Sequence, residues 1–182
     1  MSLVDRAVKV GLGMPGLIRD TEVRWLAELC ERAPRKDVTW VELGVFLGRS
    51  LSVLCVCSEG IVPVVGIDNW TYTVGCSAEA VRDGLARHGL SARLVTGDSK
   101  IVPDGIGRVG FLHVDSHHVA KQFNAEMDAW LPLVPVGGIV ACHDYESPRW
   151  VEMRPAIDAR FRAGWKRLGI VRRMIAFERV RG

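Results

Sequence analysis

Each of five short apolar runs in this chain closes on a residue that can accept a proton or a hydrogen bond. Glu42 ends the run at 38–43, Asp68 follows 61–67, Asp98 follows 92–96, Asp115 follows 110–114, and His143-Asp144 follow 139–142. Carboxylates accept from ligand hydroxyls and amines, and an imidazole changes charge near neutral pH. One terminal acid would be ordinary turn chemistry, because Asp favours turns and helix caps. Five in succession describe a binding rim.

The first of these sites carries the most detail. Glu42-Leu-Gly44-Val-Phe-Leu-Gly48-Arg-Ser50 reads as a buried strand, a tight turn and the start of a second apolar run. A helix start leaves backbone N–H groups unpaired and carries partial positive charge, so it suits an anionic ligand group. An acid at the neighbouring strand tip suits a ligand amine or hydroxyl. His118, three residues past Asp115, is a second chemical candidate, since histidine is a plausible general base near pH 7.

The elements that hold these residues alternate. Asp20-Thr21-Glu22 can cap a helix in which Trp25, Leu26, Leu29 and Cys30 recur at helical spacing. Strands are expected at 38–43, 61–67, 92–96, 110–114 and 139–142, with helices at 50–58, 77–88, 119–131 and 155–162. Two last strands, 165–171 and 173–180, are joined as tightly as an antiparallel hairpin. Apolar strands alternating with helices mean a parallel sheet covered on both faces, and such sheets bind ligands at the carboxyl ends of their strands. Residues 1–19, with Gly11, Gly13, Pro15 and Gly16, are expected to be an irregular segment, and 20–182 a single domain.

Bulk properties narrow the function. A net charge of +3 is too small to argue for nucleic acid, so a small-molecule or glycan acceptor is the favoured partner, with a homo-oligomer possible. No stretch approaches the ~20 apolar residues that span a bilayer, and no membrane partner is expected. The five cysteines are odd in number, and Cys55-Val-Cys57 is not a zinc spacing. They are expected to be reduced, mostly buried thiols of a cytoplasmic protein.

Taken in order, Glu42-x-Gly44-x-x-x-Gly48-x-Ser50, Gly66-Ile-Asp68, Gly97-Asp98-Ser99, Asp115-x-x-His118 and Gly137-Gly138…His143-Asp144-Tyr145 resemble a class I S-adenosylmethionine-dependent methyltransferase. The likeness is to small bacterial and phage-type domains and covers about residues 20–180. It implies a Rossmann-like α/β fold, a mostly parallel seven-stranded sheet with an antiparallel C-terminal strand and helices on both faces. It also implies S-adenosyl-L-methionine as cofactor. Gly44 and Gly48 would admit its methionine half, and the helix near Ser50 would take the carboxylate. Asp68, with Asn69 beside it, would accept the ribose hydroxyls, and Gly97, Asp98 and Ser99 would meet the adenine. Glu42 and Asp115 complete the set, and Phe46 fills a position where the wider class has a third glycine.

For catalysis the resemblance offers two arrangements. His118 stands where related O-methyltransferases place a general base, with His143 as a further catalytic candidate. Alternatively, Asp115 and Asp144, with His143, could hold Mg²⁺, although a hard ion prefers oxygen donors. O-methylation of a small-molecule or sugar hydroxyl is the leading expectation. A cofactor-binding module without turnover, or a partner-dependent subunit, is the alternative. A dinucleotide oxidoreductase would need Gly-x-Gly-x-x-Gly after the first strand, and a P-loop would need Gly-Lys-Ser/Thr; neither is present.

Overall fold

The computed structural model describes residues 1–181. Its elements run α1 (Leu3–Gly13), α2 (Asp20–Arg32), β1 (Thr39–Leu43), α3 (Arg49–Ser58), β2 (Val64–Asp68), α4 (Ala78–Ala86) and β3 (Arg93–Thr96). The chain continues through β4 (Val109–Val114), α5 (Ala120–Trp130), β5 (Ile139–Cys142), α6 (Met153–Arg160), β6 (Trp165–Val171) and β7 (Met174–Arg179). The seven strands form one sheet in the order β3-β2-β1-β4-β5-β7-β6. Strands β1 to β5 pair in parallel, and β7 lies antiparallel between β5 and β6.

Alternation along each strand divides the interior into two layers. Trp40, Phe111, Ile139 and Ala141 pack beneath α1, α2, α3 and α4. Val41, Leu43, Leu112 and Val114 pack beneath α5 and α6. Because Glu42 pairs in register with His113, and His113 with Ala141, those polar side chains fall on the α1–α3 face. Helix α3 is buried from Ser50 to Ser58, with its serines enclosed alongside Leu51, Val53, Leu54 and Val56. All five cysteines are free and buried.

The N-terminal segment differs from expectation. Residues 3–13 are helical, capped by the Ser2 side chain, which accepts from the Asp5 N–H. Val4, Ala7 and Gly11 form the buried stripe. Gly11 does not break the helix but lets it come close to its neighbours. A Cβ there would stand 2.8 Å from Val53 Cγ2 and 3.0 Å from Val23 Cγ1. Helix α1 is thus packed on α2 and α3 as part of the same core.

Candidate active site

The tips of β1 and β2 are locked together through Asp68. Its Oδ2 accepts from the Val45 and Phe46 N–H groups, both at 2.8 Å, and its Oδ1 accepts from Trp70 N–H at 2.7 Å. Gly44 and Gly48 have φ of 84° and 88°, and Phe46 has φ of 54°. The turn therefore uses the left-handed region three times, which glycine allows freely and Phe46 adopts under restraint from Asp68. At Gly44 any Cβ would strike the Asp115 carbonyl at 2.2 Å, so only glycine lets the β1 and β4 tips meet. Gly48 is the N-cap of α3, and Ser50 is buried in its first turn. Asn69 Oδ1 is bonded to Thr71, leaving only its amide nitrogen toward a ligand.

Beyond β3, Asp98 accepts from Lys100 Nζ at 2.6 Å and from Gln122 Nε2 at 3.0 Å. The Lys100 contact first, and Gln122 second, hold its carboxyl down at about 2. Gly97 has open space where a side chain would stand. Ser99 is tied from below: its hydroxyl donates to Glu126 Oε1, and its carbonyl accepts from Trp130 Nε1 at 2.6 Å. Ser116, after β4, donates to the same Glu126 oxygen at 2.5 Å. Burial pushes the Glu126 carboxyl up, and these donors pull against it.

The tips of β4 and β5 carry the acid–base groups. His118 Nδ1 lies 2.7 Å from Asp144 Oδ2, and the His118 ring stacks on Trp150 with centroids 5.0 Å apart. Asp144 has φ of 59°, a conformation Asp tolerates, and is buried. Burial disfavours the His118 cation, but the Asp144 hydrogen bond and the Asp115 charge outweigh it and raise the pKa. Asp144 is held well below the carboxylate range: burial opposes this, and His118 and His143 overcome it.

His143 occupies a different setting from the one expected. Its Nε2 is 3.2 Å from Glu22 Oε1, and its Nδ1 is 3.3 Å from Asp115 Oδ1 and 3.5 Å from Asp144 Oδ2. The Nδ1 contacts are close enough for charge attraction but are not aligned as hydrogen bonds. Burial works against the imidazolium; Asp115, then Asp144 and Glu22, prevail and raise its pKa to about 12. With both ring nitrogens facing carboxylates of Glu22, Asp115 and Asp144, His143 is set to hold these acids together, and His118 is the imidazole left facing the rim. The metal set also changes. Asp115, His118 and Asp144 have ligand atoms within 4.8 Å of one another, with His118 in the place expected for His143.

Three participants were not singled out from the sequence. Glu22 was read only as a capping residue. It does accept from Arg19 N–H at 2.9 Å, but its other oxygen accepts from Arg173 N–H and meets His143, each at 3.2 Å. Glu126 carried no signal beyond an acid on a helix. His113, in the middle of an apolar run, has its Nδ1 2.7 Å from Glu42 Oε1 with both side chains wholly enclosed. Tyr145, the last residue of the Gly137-Gly138…His143-Asp144-Tyr145 motif, is buried and donates to Asp158. A shallow cleft of about 260 Å³ on the opposite rim, lined by Arg35, Asp37 and Arg108 among others, brings no acid–base group to a partner.

The fold and this rim define a Rossmann-like domain of the class I methyltransferase type. Residues 41–145, more than half of the chain, match the family model described as "Methyltransferase domain". The chain belongs to that family. No curated protein matches it significantly. Among solved structures it is similar to the O-methyltransferase NovP, with a TM-score of 0.76 and 18% identity over 90% of this chain and 81% of that one. It is also similar to CalS11, a TDP-rhamnose 3'-O-methyltransferase of calicheamicin biosynthesis, with a TM-score of 0.66, 16% identity and 97% and 92% covered. The O-methyltransferase TomG from Streptomyces achromogenes, solved with S-adenosylmethionine, gives 0.67, 17%, 100% and 91%. At these identities the likeness speaks for the fold. No helix among the described residues is long and apolar enough to cross a membrane.

Proposed function

We propose that this chain transfers the methyl group of S-adenosylmethionine to a hydroxyl of a small molecule or sugar, with His118 as general base. The observation that carries the reading is the His118–Asp144 pair beside Asp115, on the rim where such folds bind ligands. The residues fit the cofactor. Asp68 offers about four acceptor sites, of which three are taken by backbone N–H groups, so one stays open to a ribose hydroxyl.

When bound, the cofactor supplies an already activated methyl group, which leaves alignment and deprotonation to the protein. Asp144 accepts from His118 Nδ1 and so leaves Nε2 as the proton acceptor. Nε2 removes the hydroxyl proton, and the electron pair remains on the acceptor oxygen. Trp150, stacked on the imidazole, limits its rotation. Asp115 then stabilises the imidazolium that forms, consistent with its upward pull on His118.

A divalent cation is a second reading, favoured by the convergence of Asp115, His118 and Asp144. An ion held there would act on the acceptor oxygen as a Lewis acid and would take the place of the His118–Asp144 hydrogen bond. The acceptor class, a homo-oligomeric state and a location in the cytoplasm are parts of the same proposal. The small size of the net charge and the structural neighbours NovP, CalS11 and TomG support the small-molecule side of it. The deciding experiment is turnover with a panel of hydroxylated acceptors, with and without a chelator. Turnover that survives the chelator and disappears in His118→Ala supports the base. Loss on chelation, restored by Mg²⁺, supports the metal.

A further inference from the structure

Three arginines meet at the β5 end of the rim without a counter-charge. The β6–β7 turn falls at the same end of the sheet as the β5 tip, because β7 runs antiparallel to β5 and Cys142 pairs with Ile175. The turn consists of Arg172 and Arg173 alone, since Val171 and Met174 already pair. So short a hairpin turn favours Gly, Asn or Asp where φ is positive, yet Arg172 holds φ of 53°. Arg19, immediately before α2, is brought to the same place by Glu22. The two oxygens of that buried carboxylate accept from the Arg19 N–H at 2.9 Å and from the Arg173 N–H at 3.2 Å. Arg19, Arg172 and Arg173 are exposed, and none of the three guanidinium groups is in an ion pair among the described residues.

The acids beside them are already matched. Glu22 faces His143 at 3.2 Å, Asp115 faces His143 at 3.3 Å, and Asp144 faces His118 at 2.7 Å and His143 at 3.5 Å. Asp20, next to Arg19, accepts from the Thr21 N–H at 2.9 Å. The charge left without a counterpart here lies on exposed guanidinium groups, whose planar forks suit phosphate and carboxylate oxygens. Glu22 holds both turns by their backbones, so the side chains stay free while their anchor points are fixed. We propose that Arg19 and Arg173, with Arg172 beside them, bind an oxyanion carried by the methyl acceptor, a phosphate or a carboxylate. This rests on the reading of the rim as a methyltransferase site. Glu22, His143 and Asp144 lie in series between the arginine turns and His118, so the oxyanion stands several bonds from the hydroxyl that loses its proton. A neutral sugar or phenol lacks the group for this corner, and the acceptor class narrows to phosphorylated or carboxylated hydroxy compounds.

The test is an amide chemical-shift titration of the full chain, saturated with S-adenosylhomocysteine, using inorganic pyrophosphate and, separately, malonate. Saturable shifts are expected at the amides of Arg19, Glu22, Arg172 and Arg173 with at least one anion, and the tighter binder names the oxyanion as phosphate or carboxylate. The double variant Arg19→Gln/Arg173→Gln keeps both backbone N–H groups and with them the Glu22 contacts. It is expected to bind that anion about tenfold or more weakly, whereas Arg82→Gln on α4 leaves the affinity unchanged. No saturable shift with either anion overturns the proposal, as do shifts of equal size at other basic segments or an affinity that the double variant does not alter. Wild-type protein that fails to bind S-adenosylhomocysteine overturns the methyltransferase reading and this proposal with it. Binding of S-adenosylhomocysteine without binding of either anion overturns only the arginine site.

Discussion

His143 is clasped between Glu22 and Asp115: its Nε2 lies 3.2 Å from the one and its Nδ1 3.3 Å from the other. A residue of α2 and a residue of the β4 tip are thereby joined through a single imidazolium. Stability should follow its titration. With the folded pKa raised to about 12, the contribution is complete below the unfolded value near 6.5 and is lost as pH climbs from there toward 12. Glu22 and Asp144 have lowered values, so their contributions exist above the ordinary carboxylate range and fade on acidification. Denaturant melts at a series of pH values should show maximal stability near pH 5–6.5.

Removing the clasp should be expensive. His143→Ala removes the cation that Glu22, Asp115 and Asp144 share, leaving His118 as the one partner of Asp144, and is expected to cost about 3–5 kcal/mol. It should also flatten the decline in stability above pH 7. A variant as stable as wild type in urea titration would mean that the three carboxylates relax into solvent.

Replacement of His118 by alanine should lower turnover by about 10²–10⁴-fold, the usual range for a lost general base, with S-adenosylhomocysteine affinity unchanged. In the wild type the base must be neutral, and its pKa is raised by Asp144 and Asp115. The kcat/KM profile should therefore rise through an apparent pKa above 6.5. A profile flat from pH 6 to 9 would remove His118 from the reaction.

Asp68→Ala should weaken cofactor binding by about 1–3 kcal/mol through the lost charge-assisted hydrogen bond. The same substitution frees the Val45 and Phe46 N–H groups, so the turn should also exchange its amide hydrogens faster. Affinity lost without faster exchange at residues 45 and 46 would separate the two roles.

Gly11→Val tests whether α1 belongs to the core. The added side chain would meet Val53 and Val23 within about a carbon's contact distance, and overpacking of this kind costs about 1–3 kcal/mol. A neutral effect on the urea midpoint would show that α1 can move away.

Much of the fold was legible because the strands are continuously apolar and end on polar residues. The limits expected for β5 and β6 coincide with those observed. Strand β2 begins at Val64 and not at residue 61, because Pro63 has no N–H to donate and the chain turns through left-handed Glu59 and Gly60 before it. Helix α1 was missed because its glycines were weighed as breakers, whereas Gly11 serves a close approach visible only once α3 is in place. The rim acids were found because each lies at a strand tip. Their partners were not: Glu42 and His113 are 71 residues apart, and Glu22 and His143 are 121 apart. Which strands become neighbours is settled by topology, and local sequence does not encode it.

Glu126 gives the rim a property of its own. One of its oxygens receives hydroxyls from the loop after β3 and from the loop after β4. The gap between the loop after β3, which carries Asp98, and the loop after β4, which carries Asp115, is thus gauged from below by α5. The two loops therefore keep a constant spacing that no residue of their own sets. The domain behaves as a fixed caliper.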